Sequence, residues 1–413
     1  MDAQETSPTV SAVPTVRQGF WVLWSASAVS SLGDGMRAVA FPLLAASLTR
    51  NPVAIATVFA AGYAPWPLFG LYAGAIVDRA DRRDLMWRIN TIRALVVAAF
   101  TVMVGEAEAP VIALAATSFL VGTAETLVAN ASLSMVPQLV ERSALHSANA
   151  RLQIAQILCS TVIGMPFGVL LFAIGHAIPF AGDATSFAVA ALLIRTIPGS
   201  YRPEQAAPKR SLTHELIEGL RWLLRNRFLR TAYLLIIVVN TTLGAGEAVL
   251  VLYNRDELKQ GDLGYTLLLT AMAIGAISGS LAASRLRRKL SLPVITVGSA
   301  AGQATALVIA GFTSQYVIAL AGMALVGLAV GCWNVTITSY RQSAVPAHLL
   351  GRVTSSSRVI ALTATPIGAE LGGLAARGYG LHAVYLIGGC ALLTATLAAA
   401  RSLGPDPVAE LAS

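Results

Sequence analysis

Charge is scarce in this chain: 12% of its 413 residues are Asp, Glu, Lys or Arg, against about 25% in ordinary soluble domains. With 55% hydrophobic residues and a mean hydropathy of +0.68, a water-soluble globular fold is excluded. Cysteine is scarcer still. Cys159, Cys332 and Cys390 are odd in number, far apart and set in apolar runs, which suits buried small hydrophobes and not a disulfide framework or zinc site. The histidines, His146, His176, His214, His348 and His382, fall in loops or at the ends of apolar runs, with no metal spacing and no Ser or Cys nucleophile arranged beside them. No Gly-x-x-x-x-Gly-Lys-Ser/Thr phosphate loop is present. Enzymatic chemistry, a metal and a cofactor are therefore not expected. Residues 1–19 are polar and lack an apolar core followed by a small-residue cleavage site, so no signal peptide is expected.

What the chain does have is apolar runs of the length a helix needs to cross roughly 30 Å of hydrocarbon. Twelve are read, near 20–47, 54–77, 85–105, 110–134, 151–174, 179–197, 229–252, 263–283, 292–312, 316–338, 353–376 and 382–400. An even number places both termini on one side. With the N-terminus inside, the outer loops hold only Arg50, Arg255, Lys259 and Arg377, and all other loop cations lie inside. The positive-inside rule thus puts both termini in the cytoplasm. The same distribution explains the net charge of +8 without nucleic acid, because the basic residues sit between spans.

The expected organisation is a cytoplasmic tail (1–19), a six-helix bundle (20–197), a cytoplasmic linker (198–228), a second six-helix bundle (229–400) and a tail (401–413). The linker opens with the Pro-rich polar stretch Pro198–Pro208. It continues with Leu212, Leu216, Leu220, Leu223 and Leu224 at helical spacing, as in an amphipathic helix at the membrane surface. The halves echo one another. Gly74–Arg83 has a degraded copy at Gly279–Lys289 that keeps the cations and loses the acid, and Val136-Pro137 through Arg142 is repeated by Val345-Pro346 through Arg352. Parallel repeats of this kind place a binding site between the halves near mid-membrane, with access alternating as the halves rock.

The loop after the second span carries Gly-x-x-x-Asp-Arg-x-x-Arg-Arg as Gly74, Asp78, Arg79, Arg82 and Arg83. In that position the chain resembles the major facilitator superfamily. Pro65-Trp66, Phe69-Gly70, Ala124-Glu125-Thr126-Leu127, Glu218-Gly219-Leu220-Arg221-Trp222, Trp333-Asn334-Val335, Arg341-Gln342 and Leu350-Gly351-Arg352-Val353 resemble its bacterial branch containing the enterobactin exporter and macrolide efflux proteins. Where drug antiporters of the superfamily carry Gly-Pro-x-x-Gly-Gly, this chain reads Gly164-Met165-Pro166-Phe167-Gly168-Val169. The resemblance implies an all-α membrane fold of twelve transmembrane helices in two pseudo-symmetric six-helix bundles. It also implies a monomeric transporter of the bacterial inner membrane that moves a small amphipathic molecule, with export in exchange for protons the leading expectation. Proton-linked uptake, facilitated diffusion and a transport-inactive sensor or assembly protein on the same scaffold are the rivals.

Polar residues inside the spans are the candidates for work, since a carboxylate or guanidinium at a helix centre costs roughly 2.5–3.5 kcal/mol on insertion scales. Asp34, between Gly33 and Gly35, and Glu125 are read as proton carriers, and Arg37 and Arg93 as their counter-charges. Structural pairs, Asp34 with Arg37 one turn on and Arg93 with Glu125, are the competing readings. Glu247 is expected to line the water-exposed cavity and Glu370 to face its mouth. Trp66 and the Trp333-Asn334 pair are candidates for the substrate wall, with packing as the alternative. Gly74, Asp78, Arg79, Arg82 and Arg83 are read as a cytoplasmic gate, Asp78 closing it through breakable charge contacts. Small-residue pairs such as Gly70/Gly74, Gly275/Gly279 and Gly327/Gly331 are expected at close helix crossings.

Overall fold

The computed structural model describes residues 18–106, 109–202 and 212–403. Most of both predicted tails, and the larger part of the Pro198–Pro208 stretch, lie outside the described residues. Every described element is helical. The first six predicted spans are α1 (Gln18–Leu48), α2 (Pro52–Tyr63) with α3 (Pro65–Val77), α4 (Arg82–Gly105), α5 (Val111–Leu139), α6 (Leu145–Ile157) with α7 (Met165–Ile174), and α8 (Ile178–Arg195). After the linker helix α9 (Leu212–Arg225) come α10 (Arg227–Leu252), α11 (Asp262–Arg287), α12 (Leu292–Phe312), α13 (Tyr316–Ala344), α14 (Ala347–Tyr379) and α15 (Leu381–Ser402).

Local chemistry sets the boundaries. Asn51 accepts from the Val53 N–H to cap α2, Asp81 accepts from the N–H groups of Arg83 and Asp84 to cap α4, and Asn226 caps α10 through Leu229 N–H. The second span, read as one helix, is two. Pro65 and Pro67 remove donors from the turn where α3 begins, so the chain breaks at Ala64 and brings Trp66 to the break. Between α6 and α7, Leu158–Gly164 widens into a π-helical turn, a local form that recurs at functional sites.

Eleven segments are long and apolar enough to cross a membrane among the described residues. The helix missing from that set is α1, which is 31 residues long. Its Ser, Gly, Asp34 and Arg37 side chains lower its hydropathy because it faces protein, packed on α8 and on the segment from α6 to α7. The packing repeats. In the first half α1 lies on α6–α7 and α8, α2 and α3 on α5, and α4 on α8; in the second α10 lies on α14 and α15, α11 on α13, and α12 on α15.

The α11–α13 crossing shows why small residues recur. A side chain at Gly275 or Gly279 would strike the Ala324 or Leu328 carbonyl, and one at Gly327 or Gly331 would strike those of Met272 or Ala276. Gly70 and Gly74 correct the same expectation, because a side chain at either meets nothing within 4 Å.

The halves meet at the end of the molecule away from the Gly74–Arg83 loop. There α2 packs against α14 and α10 through its Ala56 and Ala60, Ala369 of α14 and Ala248 of α10, with Phe59 alongside. Gly373 comes against Ala56 and Val53, and Thr57 Oγ1 lies 3.4 Å from Glu370 Oε2. The linker helix α9 docks on the start of α14, with Glu218 accepting from Arg352 at 2.6 Å and Gly219 against the Arg352 carbonyl.

Candidate functional site

The charged residues of α1 sit where three other helices converge. Arg37 donates to Asp34 on its own helix at 2.7 Å, one turn away. From α4, Arg93 reaches the same Asp34 oxygen at 2.8 Å, and its guanidinium lies 3.7 Å above the Phe187 ring. Of the two structural pairs weighed as alternatives, Asp34 with Arg37 forms, whereas the ion-pair partner of Arg93 among the described residues is Asp34 and not Glu125. Glu125 on α5 has a looser ionic contact, 4.0 Å from Arg37, and its side chain is 42% exposed.

A fifth member was absent from the sequence reading. Asp183 of α8 is fully buried, with Arg37 Nε 3.0 Å from its Oδ2. That approach lies off the hydrogen-bonding direction, so neither Asp183 oxygen has a hydrogen-bond partner among the described residues and charge proximity holds the pair. Gly33 makes room for it, since a side chain there would collide with Asp183 and Ser186, and Gly35 admits the Ser160 carbonyl from the π-helical turn. Both glycines that flank Asp34 thus admit protein, not solute. The result is three carboxylates, Asp34, Glu125 and Asp183, gathered around two guanidiniums, Arg37 and Arg93.

Two cavities flank this network. One, of about 610 Å³, runs from the end bearing the Gly74–Arg83 loop and is walled by Ser27, Ser30, Asn90, Asn149, Gln153 and Arg358 among others. The other, of about 310 Å³, lies toward the closed end and includes Phe41, Phe59, Tyr63 and Glu247. Asp34, Trp66, Glu125 and Ser160 belong to the walls of both, so they form the neck between them. Trp66 and Glu247 are therefore cavity residues. Trp333 is not: it is buried in the core, its indole N–H has no partner among the described residues, and neither it nor the exposed Asn334 lines these cavities. Glu370 sits between α2 and α14 at the closed end, outside both cavity walls.

At the loop, Asp78 and Arg79 are exposed, and Asp78 has no ion pair among the described residues. The anchored acid is Asp81, which accepts from Ser200 Oγ at 2.6 Å and from the Tyr201 N–H at 3.0 Å. Partial burial works to raise its pKa. Hydrogen bonds from Ser200 and from the N–H groups of Asp84, Tyr201 and Arg83 outweigh that and hold the carboxyl below the ordinary aspartate range. Arg83 donates to the Ile197 carbonyl at 3.0 Å and Arg82 is largely buried, its N–H facing the Tyr201 carbonyl at 3.4 Å. Among the described residues no group of three His, Cys, Asp or Glu side chains is placed to hold a metal.

An apolar helical bundle with ionic side chains at the neck of two central cavities is the architecture of a solute carrier. The family described as transmembrane secretion effector, within the major facilitator superfamily, matches residues 9–410. The chain belongs to that family. It is a multi-pass membrane transporter, not an enzyme. Its relatives include the multidrug efflux pump Tap of Mycolicibacterium fortuitum, 26% identical over 381 residues that cover 90% of this chain and 92% of the relative. Macrolide efflux protein A of Streptococcus pyogenes is 23% identical over 384 residues, covering 91% and 93%. In fold, the secretion-effector chain superposes on the nucleoside transporter NupG with a TM-score of 0.73 at 14% identity, covering 93% of this chain and 99% of that one. A bacterial homologue of the lysosomal transporter Spinster gives 0.67 at 11% identity, covering 93% and 96%.

Proposed function

We propose that this protein is a proton-coupled exporter of amphipathic organic compounds in the bacterial inner membrane, with both termini in the cytoplasm and access alternating between the two ends. The observation that carries the reading is the charge count at the neck. Three carboxylates face two guanidiniums, so the fully ionised network has one negative charge in excess. A single proton neutralises it. Excess charge in a membrane interior is expensive, which gives the network a reason to take up a proton from one side and surrender it to the other. Glu125 is the most loosely held acid and lies in both cavity walls; with Asp34 it is the proton carrier of this reading. Arg37 and Arg93 are the counter-charges that trade partners, and Asp183 keeps Arg37 in place.

The names of the relatives support export, as does the larger cavity, which by the distribution of loop cations opens toward the cytoplasm. The unpaired Asp78 fits a gate motif in its open position, its partner arriving only when the halves close at that end. The experiment is uptake of a fluorescent macrolide into everted membrane vesicles under an imposed pH gradient. Asp34→Asn with Glu125→Gln is expected to abolish gradient-driven uptake while solute counterflow without a gradient persists. Unchanged gradient-driven uptake in that double variant defeats the coupling assignment. Wild-type efflux from the vesicles, with the gradient reversed in effect, establishes proton-linked uptake instead.

A further inference from the structure

The larger cavity holds a cation that the charge network does not use. Arg358 of α14 is the only residue of the second half among those lining it. It lies in the interior of the Leu349–Tyr379 span and is exposed to the cavity, whereas Arg93 is buried. Arg93 is answered by Asp34 at 2.8 Å. Arg358 has neither an ion pair nor a hydrogen bond among the described residues. What it has is the face of Trp66, with the guanidinium carbon 4.9 Å from the ring centroid.

Stacking leaves a guanidinium's chemistry unspent. A cation over an aromatic face still has its N–H donors in the plane of the group, in a fork that matches a carboxylate or phosphate. The other charged members of this cavity wall are Asp34, Arg93 and Glu125. Asp34 and Arg93 satisfy one another, and Glu125 has its ionic contact with Arg37. Among the described residues no acid stands at ion-pair distance from Arg358.

We propose that Arg358 is an anion subsite. The cavity takes amphipathic compounds that carry a carboxylate or another anionic group, the charge held by the Arg358 fork and the apolar body by the neighbouring Val128, Leu133 and Leu152. Because Trp66 belongs to the first half and Arg358 to the second, the bound anion touches both moving parts. The assignment names the substrate class of the transporter proposed above and rests on that reading.

The test is equilibrium binding to the full-length protein in phosphatidylcholine nanodiscs with no proton gradient. The probes are radiolabelled 1-naphthaleneacetate and its neutral counterpart 1-naphthaleneacetamide. The wild type is expected to prefer the acetate by about 10-fold, the worth of a charge-assisted hydrogen bond. Arg358→Gln is expected to lose that preference while keeping its affinity for the amide, which also reports that the variant is folded. Should that variant not assemble, Arg358→Lys, which keeps the charge and loses the fork, is expected to show a smaller preference than the wild type. Equal affinity of the wild type for the two probes, a preference surviving in Arg358→Gln, or an undiminished one in Arg358→Lys, overturns the proposal. A preference abolished by phosphatidylglycerol in the nanodisc assigns the subsite to a lipid headgroup and overturns it as well. Loss of proton-driven export in vesicles with the anion preference intact counts against the export reading alone.

Discussion

At the scale of single residues, Arg37 is the side chain on which most depends. It faces Asp34, Glu125 and Asp183 together, and Asp183 is fully buried with no other cation at ion-pair distance among the described residues. Removing one partner of a buried pair costs about 3–5 kcal/mol, because the charge left behind cannot reach water. Arg37→Gln is therefore expected to lower the thermal midpoint in detergent sharply, and adding Asp183→Asn to recover a large part of the loss. A double variant no more stable than the single one would show that Asp183 does not need Arg37. How much of this site could be read in the sequence follows from the range of each interaction. The Asp34–Arg37 pair is local, fixed by helical spacing, and was legible. The Arg93–Asp34 contact joins two helices, so the sequence names Glu125 only as one candidate partner for Arg93. Asp183 and Arg358 were visible by the same rule that singled out Asp34, an ion in an apolar run, and were passed over.

At the scale of elements, the turn into α4 and the α11–α13 crossing give opposed kinds of sensitivity. Asp81 caps α4 and binds residues 200 and 201 as a carboxylate. Because its pKa is lowered in the folded protein, its contribution is complete above the unfolded value near 3.9 and is lost as pH falls through the lower folded value. Amide exchange at Arg83 and Asp84 is expected to accelerate in that acid window and to lose the dependence in Asp81→Asn, which still caps the helix. Asp81→Ala is expected to cost about 1 kcal/mol at neutral pH. The α11–α13 crossing has no such switch and responds to volume. Gly327→Val forces a side chain into the Met272 carbonyl, whereas Gly298→Ala on α12 meets open space. Overpacking of this kind costs about 1–3 kcal/mol. The first substitution is expected to reduce folded yield by size-exclusion chromatography and the second to leave it unchanged. The small-residue spacing in the sequence announced this crossing. It announced one at Gly70 and Gly74 too, where nothing packs, because spacing shows that a close approach is allowed and not that a partner is present.

At the scale of the whole molecule, one end is shut and the other open. Ala56 of α2 and Gly373 of α14 lie against each other at the shut end, where a Cβ at 373 would stand 2.6 Å from that of Ala56, so the helices need part by only about 1 Å to reach the Cβ separation of a disulfide, about 3.5–4.5 Å. With Cys159, Cys332 and Cys390 replaced by Ser, Ala56→Cys with Gly373→Cys is expected to oxidise and stop transport, with recovery under reductant. Continued transport by the oxidised form would mean that these surfaces never part. The gate motif belongs to the same motion. Asp78→Asn is expected to impair transport far more than Ser284→Ala in the degraded second copy, and equal tolerance returns the motif to a role in topology alone. Apolar run length and loop charge made the helical segments readable, whereas the open state was not, since it depends on how two finished surfaces meet. The low hydropathy of α1 also bears on how the protein is made. Asp34 and Arg37 leave the ribosome with only each other for company. Arg93 emerges two spans later, and Asp183 only with α8. Glu125 follows with α5 and brings the charges around α1 to balance, so the excess negative charge of the network appears only when the sixth span delivers Asp183.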